Sequence, residues 1–185
     1  AHIRPGSQGE PEAAQTVEAH CRNTADYAAQ ALEPLSLSAS GYLAGLVHDA
    51  GKYTTQFQNY LLHGEGGKGS VNHTFAGVRL FLERYHSETL GDFAEVVSEL
   101  LSLAAGGHHG LFDCVDKEQE SGFQHRLTKE GIHYAEAVNN FFHFCASEKE
   151  LDQWFQKAYA ELAPVLEKIL SMTDENREEF DDETA

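Results

Sequence analysis

No apolar stretch in the 185 residues approaches the ~20 needed to cross a bilayer; the longest are short pieces such as Leu100 to Ala105. The N-terminus lacks a signal-peptide pattern, and Pro5, Gly6 and Gly9 there suggest a loop. Cysteine is scarce. Cys21, Cys114 and Cys145 are scattered and odd in number, which argues against a disulfide framework and for a reducing cytoplasm. There is no CxxC pair, so a structural zinc knuckle is not expected. Methionine occurs once, at Met172, and the chain opens on Ala1, as a processed protein or a piece of a longer one would.

Positive charge is also in short supply. Thirteen Lys and Arg face 30 Asp and Glu, for a formal net charge of −17. Nucleic-acid binders draw most of their affinity from a basic face that neutralises phosphate, so this chain is not expected to grip DNA by itself. Two classes remain: a small-molecule hydrolase, or a nuclease to which a larger partner delivers DNA. Nothing in the sequence demands more than a monomer.

Period-two alternation is nearly absent, and what is present is helical. Helices are expected over Thr16 to Leu32 (stopped by Pro34), Ser40 to Asp49 (stopped by Gly51) and Tyr53 to His63. A fourth, carrying Phe75, Val78, Leu80, Phe81 and Leu82, is expected after an Asn72 cap, and a fifth from Asp92 to Ala105. Gly110 to Thr128 reads as loop. Lys129 to Ala146 and Lys149 to Met172 read as two more helices, the second interrupted or kinked at Pro164. Phe141, Phe142, Phe144, Trp154 and Phe155 are most simply packing residues. The fold expected is an all-α bundle, one domain over residues 1–185, with 1–14 as loop and 173–185 as an acidic tail or linker.

Histidine is the abundant residue, with 11 copies, several at expected helix ends. His48 and Asp49 close the apolar run Gly41-Tyr-Leu-Ala-Gly-Leu-Val-His-Asp-Ala-Gly-Lys52. An imidazole and a carboxylate after Leu46 and Val47 are costly to bury without partners, and a metal ion relieves that cost. His108-His109 sits between Gly106-Gly107 and Gly110, where the glycines let the backbone turn both rings toward one site. Singly, each motif has a plainer account. His48 would cap carbonyls, the His pair would be a surface turn, and His73 would be solvated beside its cap. His20 would be a core histidine, and Lys52 a solvated lysine after a helix stop. The Gly64 to Gly69 loop contains Lys68 but lacks P-loop spacing.

Taken together the order is His20, His48-Asp49-Ala-Gly-Lys52, His73, Gly107-His108-His109-Gly110. It resembles the HD phosphohydrolase superfamily and its dinuclear branch. More closely, it is similar to the HD nuclease domain of the CRISPR-associated type I helicase-nuclease. That resemblance draws on Val17-Glu-Ala-His20, Leu46-Val-His-Asp-Ala-Gly-Lys52, Phe57-Gln-Asn-Tyr-Leu-Leu62, Asn72-His-Thr-Phe-Ala-Gly77 and Ala105-Gly-Gly-His-His-Gly110.

The resemblance implies an HD-type helical bundle with its metal site at helix termini. Asp49 would bridge two divalent transition metal ions, with His20 and His48 on the first and His73, His108 and His109 on the second. Mn, Fe, Co or Ni is expected there, with Zn or Mg as alternatives. A late aspartate ligand is Asp174 or lies outside this chain. Hydroxide held by the two metals would attack phosphorus, and Lys52 would contact the scissile phosphate. The implied substrate is single-stranded DNA, cut endo- and exonucleolytically in CRISPR interference. The implied partners are a helicase domain or subunit and an RNA-guided surveillance complex. The alternatives are a cyclic-dinucleotide phosphodiesterase of the HD-GYP kind, whose Gly-Tyr-Pro signature is absent, and a catalytically impaired metal-binding or interaction module.

Overall fold

Helix α1 (Val17–Leu32) starts where the sequence places a cap: the Thr16 hydroxyl accepts the Ala19 amide at 3.0 Å. Val17, Cys21 and Ala25 recur at four-residue intervals and form its buried stripe. The computed structural model describes residues 3–5, 11–64, 73, 75–109, 122–128 and 133–182. The side chains of 3–5, 11–13, 109, 122, 125 and 173–182 lie outside that description. Pro34 falls in a 3-10 turn (Glu33–Leu35), and Ser36 at φ 58° redirects the chain into α2 (Ser38–Val47).

Helix α2 is the buried centre of the bundle, with Leu43, Leu46 and Val47 fully covered. Its small residues let α1 approach closely. A Cβ on Gly41 would lie 2.6 Å from the Ala28 carbonyl oxygen, and one on Gly45 would lie 2.8 Å from Ala25 Cα. The helix begins two residues earlier than its own sequence suggests, because its cap comes from elsewhere. Glu161 of α8 (Glu148–Asp182) accepts the Ala39 and Ser40 amides at 2.7 and 2.8 Å. A carboxylate on those orphan N–H groups also sits well against the helix dipole.

After α2 come a 3-10 turn (Ala50–Tyr53) and α3 (Thr55–His63), capped by the Thr54 hydroxyl. Helices α4 (Phe75–Tyr85) and α5 (Ala94–Gly106) pack on each other, and α5 runs into a 3-10 turn at Gly107–His109. The Asn72 cap expected for α4 lies outside the described residues. Arg84 and Tyr85 of α4 clamp α8. The guanidinium donates to Asp152 at 2.7 and 2.9 Å, the phenol donates to the same carboxylate at 2.9 Å, and Tyr85 stacks on Phe155.

Four expectations need correction. Residues 1–14 are not all loop: β1 (Ile3–Pro5) pairs antiparallel with β2 (Pro11–Ala14). The stretch Gly110 to Thr128 contains α6 (Gly122–Thr128), whose Phe123 and Leu127 pack on a small cluster around Phe75 and Val78. Helix α8 is not interrupted at Pro164 and continues to Asp182, through the expected acidic tail. Pro164 is exposed, so the carbonyl it deprives of a partner can turn to water. Last, Phe144 is not a packing residue. In α7 (Tyr134–Phe144), Phe141 is buried, while Phe144 is 57% exposed.

Cys21 and Cys145 are buried free thiols in the core, and Cys114 lies outside the described residues. Among the described residues, no helix is long and apolar enough to cross a membrane.

Candidate metal centre

Helix α2 ends at Val47, so His48 and Asp49 occupy the turn between it and the 3-10 segment, at the centre of the bundle. Asp49 is 1% exposed, and its carboxylate is where the site converges. His20, one turn into α1, places Nε2 2.8 Å from Asp49 Oδ2. His48 Nε2 lies 2.9 Å from the same oxygen and 3.2 Å from His20 Nε2. Lys52 Nζ is 2.5 Å from Oδ2. On the other side, His73 Nε2 and His108 Nε2 stand 3.8 and 3.6 Å from Asp49 Oδ1. Six of the seven residues picked out in the sequence therefore meet at one carboxylate. The His109 side chain lies outside the described residues, as does that of Asp174 on the last turns of α8.

Two glycines make that meeting possible. A Cβ on Gly51 would fall 2.1 Å from the His73 carbonyl oxygen, so only glycine lets the His73 backbone lie against the turn. Gly51 is thus a close-approach glycine, not the helix stop expected from sequence; the cap of α2 is His48 itself. A Cβ on Gly77 would fall 2.1 Å from the Val47 carbonyl oxygen, so Gly77 lets α4 cross the end of α2 immediately before His48.

The imidazoles are held in one orientation by backbone. His48 Nδ1 lies 2.6 Å from the Gly45 carbonyl and His108 Nδ1 lies 2.6 Å from the Ala105 carbonyl, each three residues upstream. A carbonyl only accepts, so both Nδ1 atoms carry a proton and each ring turns its Nε2 toward Asp49. This is the outer support that metal-binding histidines use. Sequence reasoning missed it, although it leaves a trace: a small residue three positions before each helix-end histidine, in Gly45-Leu-Val-His48 and Ala105-Gly-Gly-His108.

Charge follows from this arrangement. Burial pushes the Asp49 carboxyl up, but the His108 and His48 imidazoles and the Lys52 ammonium more than offset it and hold it far below the carboxylate range. Burial lowers His20 from 6.5 to about 4 against the opposing pull of Asp49, so its ring is neutral at pH 7.

The residues present fit a metal. His48 Nε2 and Asp49 Oδ2 are both lone-pair atoms 2.9 Å apart, a contact that repels unless a cation or proton mediates it. Ligands about 2.1 Å from one ion at right angles stand about 3 Å apart, as the His20, His48 and Asp49 atoms do. These three residues form a group able to hold an ion. Asp49 Oδ1 is buried with no hydrogen-bond partner among the described residues, which is costly unless something positive binds it.

Among known families, the one described as "Cas3, HD domain" matches residues 10–175. No curated protein and no solved structure matches significantly.

Proposed function

Because this chain belongs to the Cas3 HD-domain family, metal-dependent nucleases of CRISPR systems, we propose that it cuts single-stranded DNA at a two-metal site divided by Asp49. The observation that carries this reading is the division of the carboxylate. Oδ2 faces His20 and His48, and Oδ1 faces His73 and His108. His20, His48 and Asp49 would hold one ion; Asp49, His73, His108 and His109 would hold the other. Imidazole with a single carboxylate favours Mn, Fe, Co, Ni or Zn over Ca. Ions bound there would supply Lewis acidity, an activated water and neutralisation of charge at phosphorus.

The protein's own groups do the rest. Backbone carbonyls at Gly45 and Ala105 hold two imidazoles by Nδ1 and keep their Nε2 atoms aimed inward. Lys52, on a flexible stem beside Asp49, is placed to move its ammonium to an incoming phosphate. The −17 charge makes the domain's own affinity for DNA weak, so a helicase and an RNA-guided surveillance complex would supply the basic path that brings the strand.

The test is cleavage of circular single-stranded DNA with Mn, Co, Ni, Fe, Zn or Mg, read beside metal content. Cleavage of the circle by transition metals, lost in His108→Ala, is expected. A circle left intact under every metal, or cut equally by the variant, would overturn the proposal.

A further inference from the structure

Beside the metal centre, a cleft of about 460 Å³ opens between the start of α1, the 3-10 turn and α7. It lies within the ~300–1,000 Å³ range of small-ligand sites. It abuts the centre through shared chain. Thr16 on its rim is one turn before His20, and Tyr53 in its wall directly follows Lys52.

Two side-chain amides in the wall are pinned to that turn. Gln58 of α3 donates to the Lys52 carbonyl, and Asn140 of α7 donates to the Tyr53 carbonyl, both at 2.8 Å. Each bond spends one N–H and fixes the plane of the amide. The amide oxygen and second N–H of each remain without a partner among the described residues. One turn beyond Asn140, on the same face of α7, the exposed ring of Phe144 forms the rim. The described lining contains no Lys or Arg and does contain Glu18, so it suits a neutral ligand and repels phosphate. A flat ring for stacking and two fixed amides with donors and acceptors to offer match the face and edge of a heterocycle.

We propose that this cleft seats one unpaired nucleobase of the strand, with Phe144 stacking on its face and Gln58 and Asn140 reading its edge. The proposal rests on the single-stranded DNA reading above, and names the part of that substrate the domain holds.

Binding is measured first, in metal-free buffer, from quenching of 2-aminopurine riboside, a neutral nucleoside with no phosphate for the acidic domain to repel. Quenching is expected in the wild type and in Phe144→Tyr, and lost in Phe144→Leu, which keeps apolar bulk but not the ring. Phe144 is exposed, so these variants are expected to fold. With metal, Phe144→Leu should raise the KM for single-stranded DNA about tenfold, the scale of one stacked base. It should leave kcat, and cleavage of a strand of tetrahydrofuran abasic units, unchanged. Equal quenching in wild type and Phe144→Leu, or none in the wild type, overturns the base site whatever the catalytic result. Failure of the wild type to cut either strand would sink the nuclease reading instead, and leaves the quenching result to decide the cleft.

Discussion

Asp49 brings buried negative charge to a place the fold can satisfy only in part. Lys52 and His20 reach Oδ2, while Oδ1 has no hydrogen bond among the described residues. Such a group weakens the metal-free protein and strengthens the metal-bound one. Mn or Co at ~100 times its dissociation constant is therefore expected to stabilise the protein by ~2.7 kcal/mol. In Asp49→Asn that stabilisation should vanish, because the amide keeps the shape but not the charge. Thermal unfolding with and without metal measures it, and a metal-induced rise equal to wild type would count against Asp49 as a ligand.

Between elements, close approach of backbones decides where the histidines lie. Helix α4 crosses α2 at Gly77, against the carbonyl of Val47, one residue before His48. Gly77→Ala would place a methyl 2.1 Å from a backbone oxygen that no side-chain rotation can move. The helices must then part, at an expected cost of ~1–3 kcal/mol in urea unfolding. Metal affinity should fall too, since His48 follows the displaced carbonyl and His73 precedes α4. A stable variant with normal metal affinity would show that the crossing does not set the site.

At the scale of the molecule, α8 is the strap that holds the layers. It caps α2 through Glu161, bonds α4 through Asp152 and contributes Leu151, Phe155 and Ala158 to the core. Hydrogen bonds from Arg84 hold the Asp152 carboxyl below its ordinary 3.8. A carboxyl lowered on folding contributes stability that is fully present above pH 3.8 and lost as pH falls through its folded value. Because Asp152 is about half exposed, the two-pronged pair is expected to contribute only ~1 kcal/mol. Asp152→Asn should lower stability by that amount at pH 7, with the gap to wild type closing below pH 3.8. A gap that persists unchanged into acid would show that packing, rather than charge, ties α4 to α8.

Periodicity and capping in the chain were enough for the helical class and for most helix boundaries, because Thr16, Pro34 and Thr54 act on their own neighbours. The ordered histidines and Asp49 were legible as a set, because residues that must share one ion carry a recurring order along the chain. Tertiary structure decided what depends on partners distant in sequence. The start of α2 is set by Glu161, 121 and 122 positions away from the amides it caps. The helix at Gly122–Thr128 packs on the Phe75 cluster, so its polar sequence alone reads as loop. Phe144 resembles buried Phe141 and half-buried Phe142 in composition, and only the direction of α7 turns it outward. Gly51 reads as a helix stop until the His73 backbone is laid against it, since room for a Cβ is a property of two segments together.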